Sequence, residues 1–141
     1  MKKLISVIWF VVLITTNVWA LDKTEGTGLQ VDVLTQATSS WDGSPLPNYP
    51  IGTAEITIMR ITIAPGAQLP VHEHTVINAG VLLKGELTVI TRDNKTLHLK
   101  AGEPVVEVVG KWHYGMNEGT EPAEIIVFYA GEEGQPNTVK Q

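Results

Sequence analysis

The sequence predicts an all-β domain, a sandwich or barrel of short strands. From Ala54 the side chains alternate at a period of two, with Thr57, Met59, Ile61 and Ile63 on one face and Ile56, Ile58, Arg60 and Thr62 on the other. Short apolar runs follow at close spacing, divided by Pro65-Gly66, Asp93-Asn94-Lys95, Ala101-Gly102 and Gly110. Beyond the N-terminal apolar run, no segment sustains a helical period.

The N-terminus reads as a secretory signal peptide over residues 1–20. Met1, Lys2 and Lys3 give a basic start, Leu4 to Ile14 is an apolar run broken only by Ser6, and Val18 and Ala20 are small or modest residues suited to cleavage after Ala20. An uncleaved anchor is the alternative, but Leu4–Ile14 is well short of the ~20 residues that span a bilayer. The expected location is therefore the periplasm or the secreted space, with no stable membrane anchor after cleavage. The chain has no twin arginine in this region and no cysteine anywhere. Lipid attachment at a cysteine, disulfides and thiolate metal sites are excluded, and the core has to hold the fold by itself.

With 10 Lys and Arg against 15 Asp and Glu the chain carries −5, and loss of Lys2 and Lys3 would take it to −7. The basic residues are scattered, which argues against a nucleic-acid partner. Residues 21–53 read as an N-terminal loop and strand region. Its run from Ser39 to Pro50 is rich in Ser, Gly and Pro and carries Trp41 and Tyr49, which are expected to anchor the loop on the domain rather than to contact a ligand.

The domain proper is expected over residues 54–130. After the first strand, Ile77 to Leu83 is apolar and Glu86 to Thr91 alternates around Leu87 and Val89. Asp93-Asn94-Lys95 makes a hairpin turn, because Asn and Asp tolerate left-handed backbone, and Leu97 and Leu99 form the return strand. Val105–Val109 and Ile125–Tyr129 are two more strands, and residues 131–141 form a polar tail expected to fray.

Two blocks of this pattern carry chemistry. Gly66 is followed after five residues by His72-Glu73-His74, after three more by Asn78, and after six more by Gly85. In the second block Gly102, Val108, Gly110, His113 and Asn117 fall at spacings of five, one, two and three intervening residues. This pair of blocks resembles the two motifs of the cupin superfamily, over Ile56 to Tyr129. The resemblance implies a single-domain β-barrel of the jelly-roll, double-stranded β-helix type. Two positions depart from it. Asn78 stands where the family has a glutamate, and Val108 where it has a proline, which only loosens a turn.

On a strand, residues i and i+2 share a face, so His72 and His74 can present two imidazoles to one point. The resemblance implies that His113 joins them from another strand and that the three hold one divalent metal ion, with zinc, copper, iron, nickel and manganese all candidates. Asn78 would be at most a weak or water-mediated ligand. A three-histidine centre carries one fewer negative charge than the family's three-His-one-Glu site, and is similar in ligand set to the three-histidine cupin dioxygenases. His98 alternates with Leu97 and Leu99 and is expected to face solvent. Glu107, the one charge among four valines, either looks into the barrel or faces water, and facing water is the expectation. Trp112 and Tyr114 flank His113 and would line or cover the barrel mouth.

Three readings of function remain open: an exported metal-binding cupin acting on a small molecule, as a dioxygenase or isomerase; a non-catalytic binding module for a sugar, small acid or metal; and an empty barrel kept for stability or assembly. A homodimer is expected, since cupin barrels often pair through their outer sheets. No serine triad, P-loop or dinucleotide fingerprint occurs.

Overall fold

The computed structural model describes residues 28–141. The signal peptide expected over residues 1–20 and the start of the 21–53 region lie outside the described residues. The chain divides into a unit ending at Asp32 and a unit of Val33–Gln141. All the strands lie in the second unit, and no helix occurs among the described residues. None is therefore long and apolar enough to cross a membrane.

Among the described residues, nine strands form two antiparallel sheets. They are β1 (Ala54–Ile63), β2 (His72–His74), β3 (Ile77–Lys84), β4 (Glu86–Thr91), β5 (Thr96–Lys100), β6 (Pro104–Val106), β7 (His113–Met116), β8 (Ala123–Glu132) and β9 (Thr138–Lys140). One sheet runs β1-β8-β3-β6 and the other β5-β4-β7-β2-β9. Consecutive strands thus repeatedly cross from one sheet to the other, which is the jelly-roll expectation realised. The inward parity of each strand supplies the core. β8 gives Ala123, Ile125, Val127 and Tyr129, β4 gives Leu87 and Val89, β3 gives Leu82, and β1 gives Ile63. Burying each such aliphatic side chain contributes about 1.5–3 kcal/mol, so this shared interior is the main source of stability in a chain without covalent staples.

The turns explain the motif glycines. Gly85, between β3 and β4, has φ +71, and a Cβ there would meet Pro122 O at 2.8 Å and Ala123 Cα at 2.9 Å. Only glycine suits both the backbone and the space. Asn94 takes φ 62 in the β4–β5 turn, as a hairpin Asn can. Asn117, the last residue of the second motif, is a structural tie. Its Nδ2 donates to Ile63 O (3.0 Å) and Glu121 O (2.8 Å), and its Oδ1 accepts from Gly119 N (3.0 Å).

Three local expectations are corrected. Residues 131–141 do not fray: β8 continues to Glu132, and Thr138–Lys140 forms β9, pairing His72↔Lys140, Glu73↔Val139 and His74↔Thr138. The strand expected over Val105–Val109 stops at Val106, where the chain leaves the sheet to turn at Gly110. That turn is held without the family's proline by Gly110 N donating to His74 O at 2.8 Å. In the Ser39–Pro50 loop Trp41 docks against the core as expected, but Tyr49 remains exposed.

Candidate metal centre

His72 and His113 are direct partners across the antiparallel β2–β7 pair, so their side chains leave the sheet on the same face and side by side. His74, two residues along β2, shares that face. The ring centroids are 4.4 Å apart for His72–His113, 4.9 Å for His74–His113 and 5.0 Å for His72–His74. One ligand nitrogen from each histidine can be chosen so that all three lie within 4.8 Å of one another. These residues form a group that could hold a metal ion.

The outer nitrogens are already engaged. His72 Nδ1 donates to Pro70 O and His113 Nδ1 to Lys111 O, both at 2.8 Å, and His74 Nδ1 meets Thr138 Oγ1 at 3.1 Å. A carbonyl only accepts, so the first two rings carry their proton on Nδ1 and keep the Nε2 lone pair. This arrangement of an oxygen behind each imidazole orients ligand histidines at metal sites generally. Electrostatics act in the same direction. Burial, helped by the neighbouring His113 and His72, lowers the pKa of His74 to about 3. Burial is also the main cause of the lowered values at His72 and His113. Neutral imidazoles with converging lone pairs fit a cation better than they fit one another.

The histidines line a cavity of about 50 Å³ together with Asn78, Glu107 and Tyr129, against an apolar wall that includes Ile61, Leu69 and Val89. Asn78 is 1% exposed and donates Nδ2 to Val76 O at 3.3 Å. Its Oδ1 is a buried oxygen with no hydrogen-bond partner among the described residues. An orphaned acceptor of this kind costs about 1–3 kcal/mol unless a donor or cation meets it. Asn78 therefore lies at the site, as the motif spacing places it.

Glu107 corrects the expectation of a water-facing side chain. It is 7% exposed, and its Oε2 lies 4.0 Å from His113 Nε2 and accepts from Trp41 Nε1 at 3.3 Å. Burial raises its pKa, against the lowering effects of the Trp41 and Val108 N–H groups and of His72. Tyr129 was also not singled out by the motifs. It is an inward residue of β8 with its ring 5.6 Å from His74, and burial pushes its hydroxyl up while a bond to Thr138 opposes that shift. The alternation of β8 carried this signal. Tyr114 is not among the cavity-lining residues, and Trp112 takes the Arg92 guanidinium at 5.4 Å from its ring centroid. His98 is exposed as expected, its Nδ1 3.1 Å from Thr88 Oγ1.

The family model described as a cupin domain matches residues 59–129, just over half of the chain. The chain belongs to the cupin family. Solved structures similar to this cupin include an oxalate oxidase in complex with the substrate analogue glycolate, at 25% identity and TM-score 0.52, covering 79% of this chain and 59% of that one. An uncharacterised conserved protein with a double-stranded β-helix domain from Klebsiella pneumoniae aligns at 20% identity and TM-score 0.52, covering 79% of this cupin and 96% of that chain. A cupin-like protein from Thermotoga maritima aligns at 14% and TM-score 0.52, covering 61% and 64%. No curated protein sequence matches this cupin.

Proposed function

We propose that this cupin binds one divalent cation through His72, His74 and His113 and presents it to a small oxygen-donor ligand. The observation that carries the reading is the convergence of three imidazoles whose Nδ1 atoms are held from behind. A cation so held would supply Lewis acidity and an open coordination position. The chain's own part is to orient the imidazoles, to keep them neutral by burial, and to limit water through the apolar wall. Asn78 contributes a neutral oxygen at the edge of the site.

Cavity size bounds the ligand. About 50 Å³ is room for roughly one or two water molecules, so a sugar ring does not enter the cavity as it stands. Only the donor end of a small acid, placed at the cation with the remainder reaching out toward the half-buried His72 side, stays within this bound. The glycolate held by the similar oxalate oxidase supports that size class. Oxygenase or isomerase chemistry on such a molecule is the catalytic form of the reading. A non-catalytic module that holds a metal or small acid is the second form, favoured by the same small cavity, and oxygen uptake over a panel of small acids separates the two. If the chain is exported unfolded, it acquires its metal outside the cytosol, where intrinsic affinity ranks copper and zinc above iron and manganese.

The central test is titration of the metal-stripped protein with zinc. Single replacement of His72, His74 or His113 by Ala should each lower affinity by more than the ~10–100-fold typical of groups behind the ligands, while His98→Ala stays at the wild-type value. If His98→Ala loses the metal and His113→Ala keeps it, the assignment is wrong. Export belongs to the same reading, supported by the basic Met1–Lys3 start and the apolar Leu4–Ile14 run. The intact mass of protein from its native host should correspond to Leu21–Gln141, and membrane-bound protein retaining Met1 would rule cleavage out.

A further inference from the structure

We propose that Glu107 is the anionic protein ligand of this centre, delivering from beyond the end of β6 the carboxylate that Asn78 does not supply. The proposal rests on the three-histidine reading and adds a fourth, charged donor to it. Glu107 lines the cavity that the histidines line, and its Oε2 stands 4.0 Å from His113 Nε2. Its position is not a chance rotamer of a loose segment. Its backbone N–H donates to Asn78 O at 3.1 Å, and its carbonyl accepts from Ser40 Oγ at 2.8 Å. The main chain of the charged residue is thus tied directly to the residue whose side chain lacks the charge.

A buried carboxylate needs partners, and those of Glu107 fall short of its charge. Its hydrogen-bond partners are neutral: Trp41 Nε1 at 3.3 Å and the Val108 backbone N–H. No lysine or arginine forms an ion pair with it among the described residues, and His113, with Nε2 4.0 Å from its Oε2, is held neutral and does not pair its charge. Isolated charges are costly in a protein interior unless paired or bound to a metal, which is why buried carboxylates without basic partners are so often ligands. Beside it, lining the same cavity, the Asn78 oxygen is buried and unpartnered among the described residues. A divalent cation between them would satisfy both oxygens and the three imidazoles together. The carboxylate supplies charge and the amide a weak dipole, so the two are not equivalent. The Ser40–Trp41 segment becomes part of the site through this residue, although it lies outside both motifs.

Cobalt(II) and zinc titrations of metal-stripped protein test the assignment, with competition by a chelator for affinity and cobalt ligand-field absorption for coordination. Glu107→Gln keeps shape and removes charge. It should lower affinity by about 100-fold or more and change the cobalt spectrum, whereas Asn78→Ala should lose ~10-fold or less. Adding Asn78→Glu to Glu107→Gln should recover most of the loss by restoring an anionic oxygen from the neighbouring position on β3. On unaltered protein, zinc should shift a carboxyl band in the infrared difference spectrum, a reading that holds even if Glu107→Gln folds poorly. Affinity within about threefold of wild type, a larger loss with an unchanged cobalt spectrum, or no carboxyl band on zinc addition each overturn direct ligation by Glu107. If His74→Ala still abolishes binding in those cases, the three-histidine reading survives; if it binds normally, that reading falls first.

Discussion

At the residue scale, His74 makes the pH behaviour of the metal-free protein predictable. Its pKa is about 3 in the folded chain against the ordinary 6.5, and His72 and His113 shift in the same direction. A depressed folded value means that the unfolded chain binds the proton more tightly, so stability is full above about pH 6.5 and falls as acid is added toward pH 3. A shift of this size amounts to several kcal/mol. The urea midpoint of metal-stripped protein should therefore drop steeply between pH 7 and 4, and His74→Gln should flatten that dependence. An unchanged slope in the variant would remove His74 as its source. The three histidines were legible in the sequence because motif spacing fixes both position and face. Glu107 was not, because its neighbours Val105, Val106, Val108 and Val109 are all apolar. A β-branched run reads the same whichever face is buried, so alternation could not say which way the one carboxylate points.

At the scale of elements, β2 is only His72–His74, and it is framed by β7 on one side and β9 on the other. Three residues cannot hold a strand by themselves, so the precision of two ligands depends on both neighbours. β9 adds Thr138 against His74 Nδ1, and Thr75 Oγ1 donates to Pro136 O just before it. The polar Asn137-Thr138-Val139-Lys140 sequence gave no sign of this because an edge strand that works through its backbone needs no apolar period. Removing residues 137–141 should lower the thermal midpoint and weaken zinc binding by at least about tenfold, and Thr138→Val should reproduce most of the binding loss with little of the stability loss. If the truncated chain binds zinc as the full chain does, β9 is not part of the site's support. The strands themselves were read with good boundaries where one face is apolar and the other polar, as in β4 and β5. β6 was read too long, since Val108 and Val109 keep β-branched character after the strand has ended, Val109 making only an isolated bridge to His74.

At the scale of the whole molecule the two sheets present unlike outer faces. The outward residues of β5 are Thr96, His98 and Lys100, all exposed and polar. The outer face of β1 and β8 instead exposes Ile56 (63%), Ile58 (60%) and Phe128 (49%), and the register sets Ile58 directly opposite Phe128. Contiguous apolar patches of this kind on soluble domains mark association surfaces more often than chance. β1 is also an edge strand of ten residues, with backbone groups along its outer side open to pairing. Pairing of two copies through this face would cover both features and leave the cavity untouched, because the patch is on the outside of the β1–β8 sheet and the histidines are inside the barrel. Sedimentation equilibrium should find a homodimer at micromolar concentration. Ile58→Lys should yield a monomer, since a two-fold interface brings the new charge against its own copy, and zinc affinity should not change. A wild-type monomer at all concentrations, or an Ile58→Lys protein that still pairs, would show that this face is not the interface.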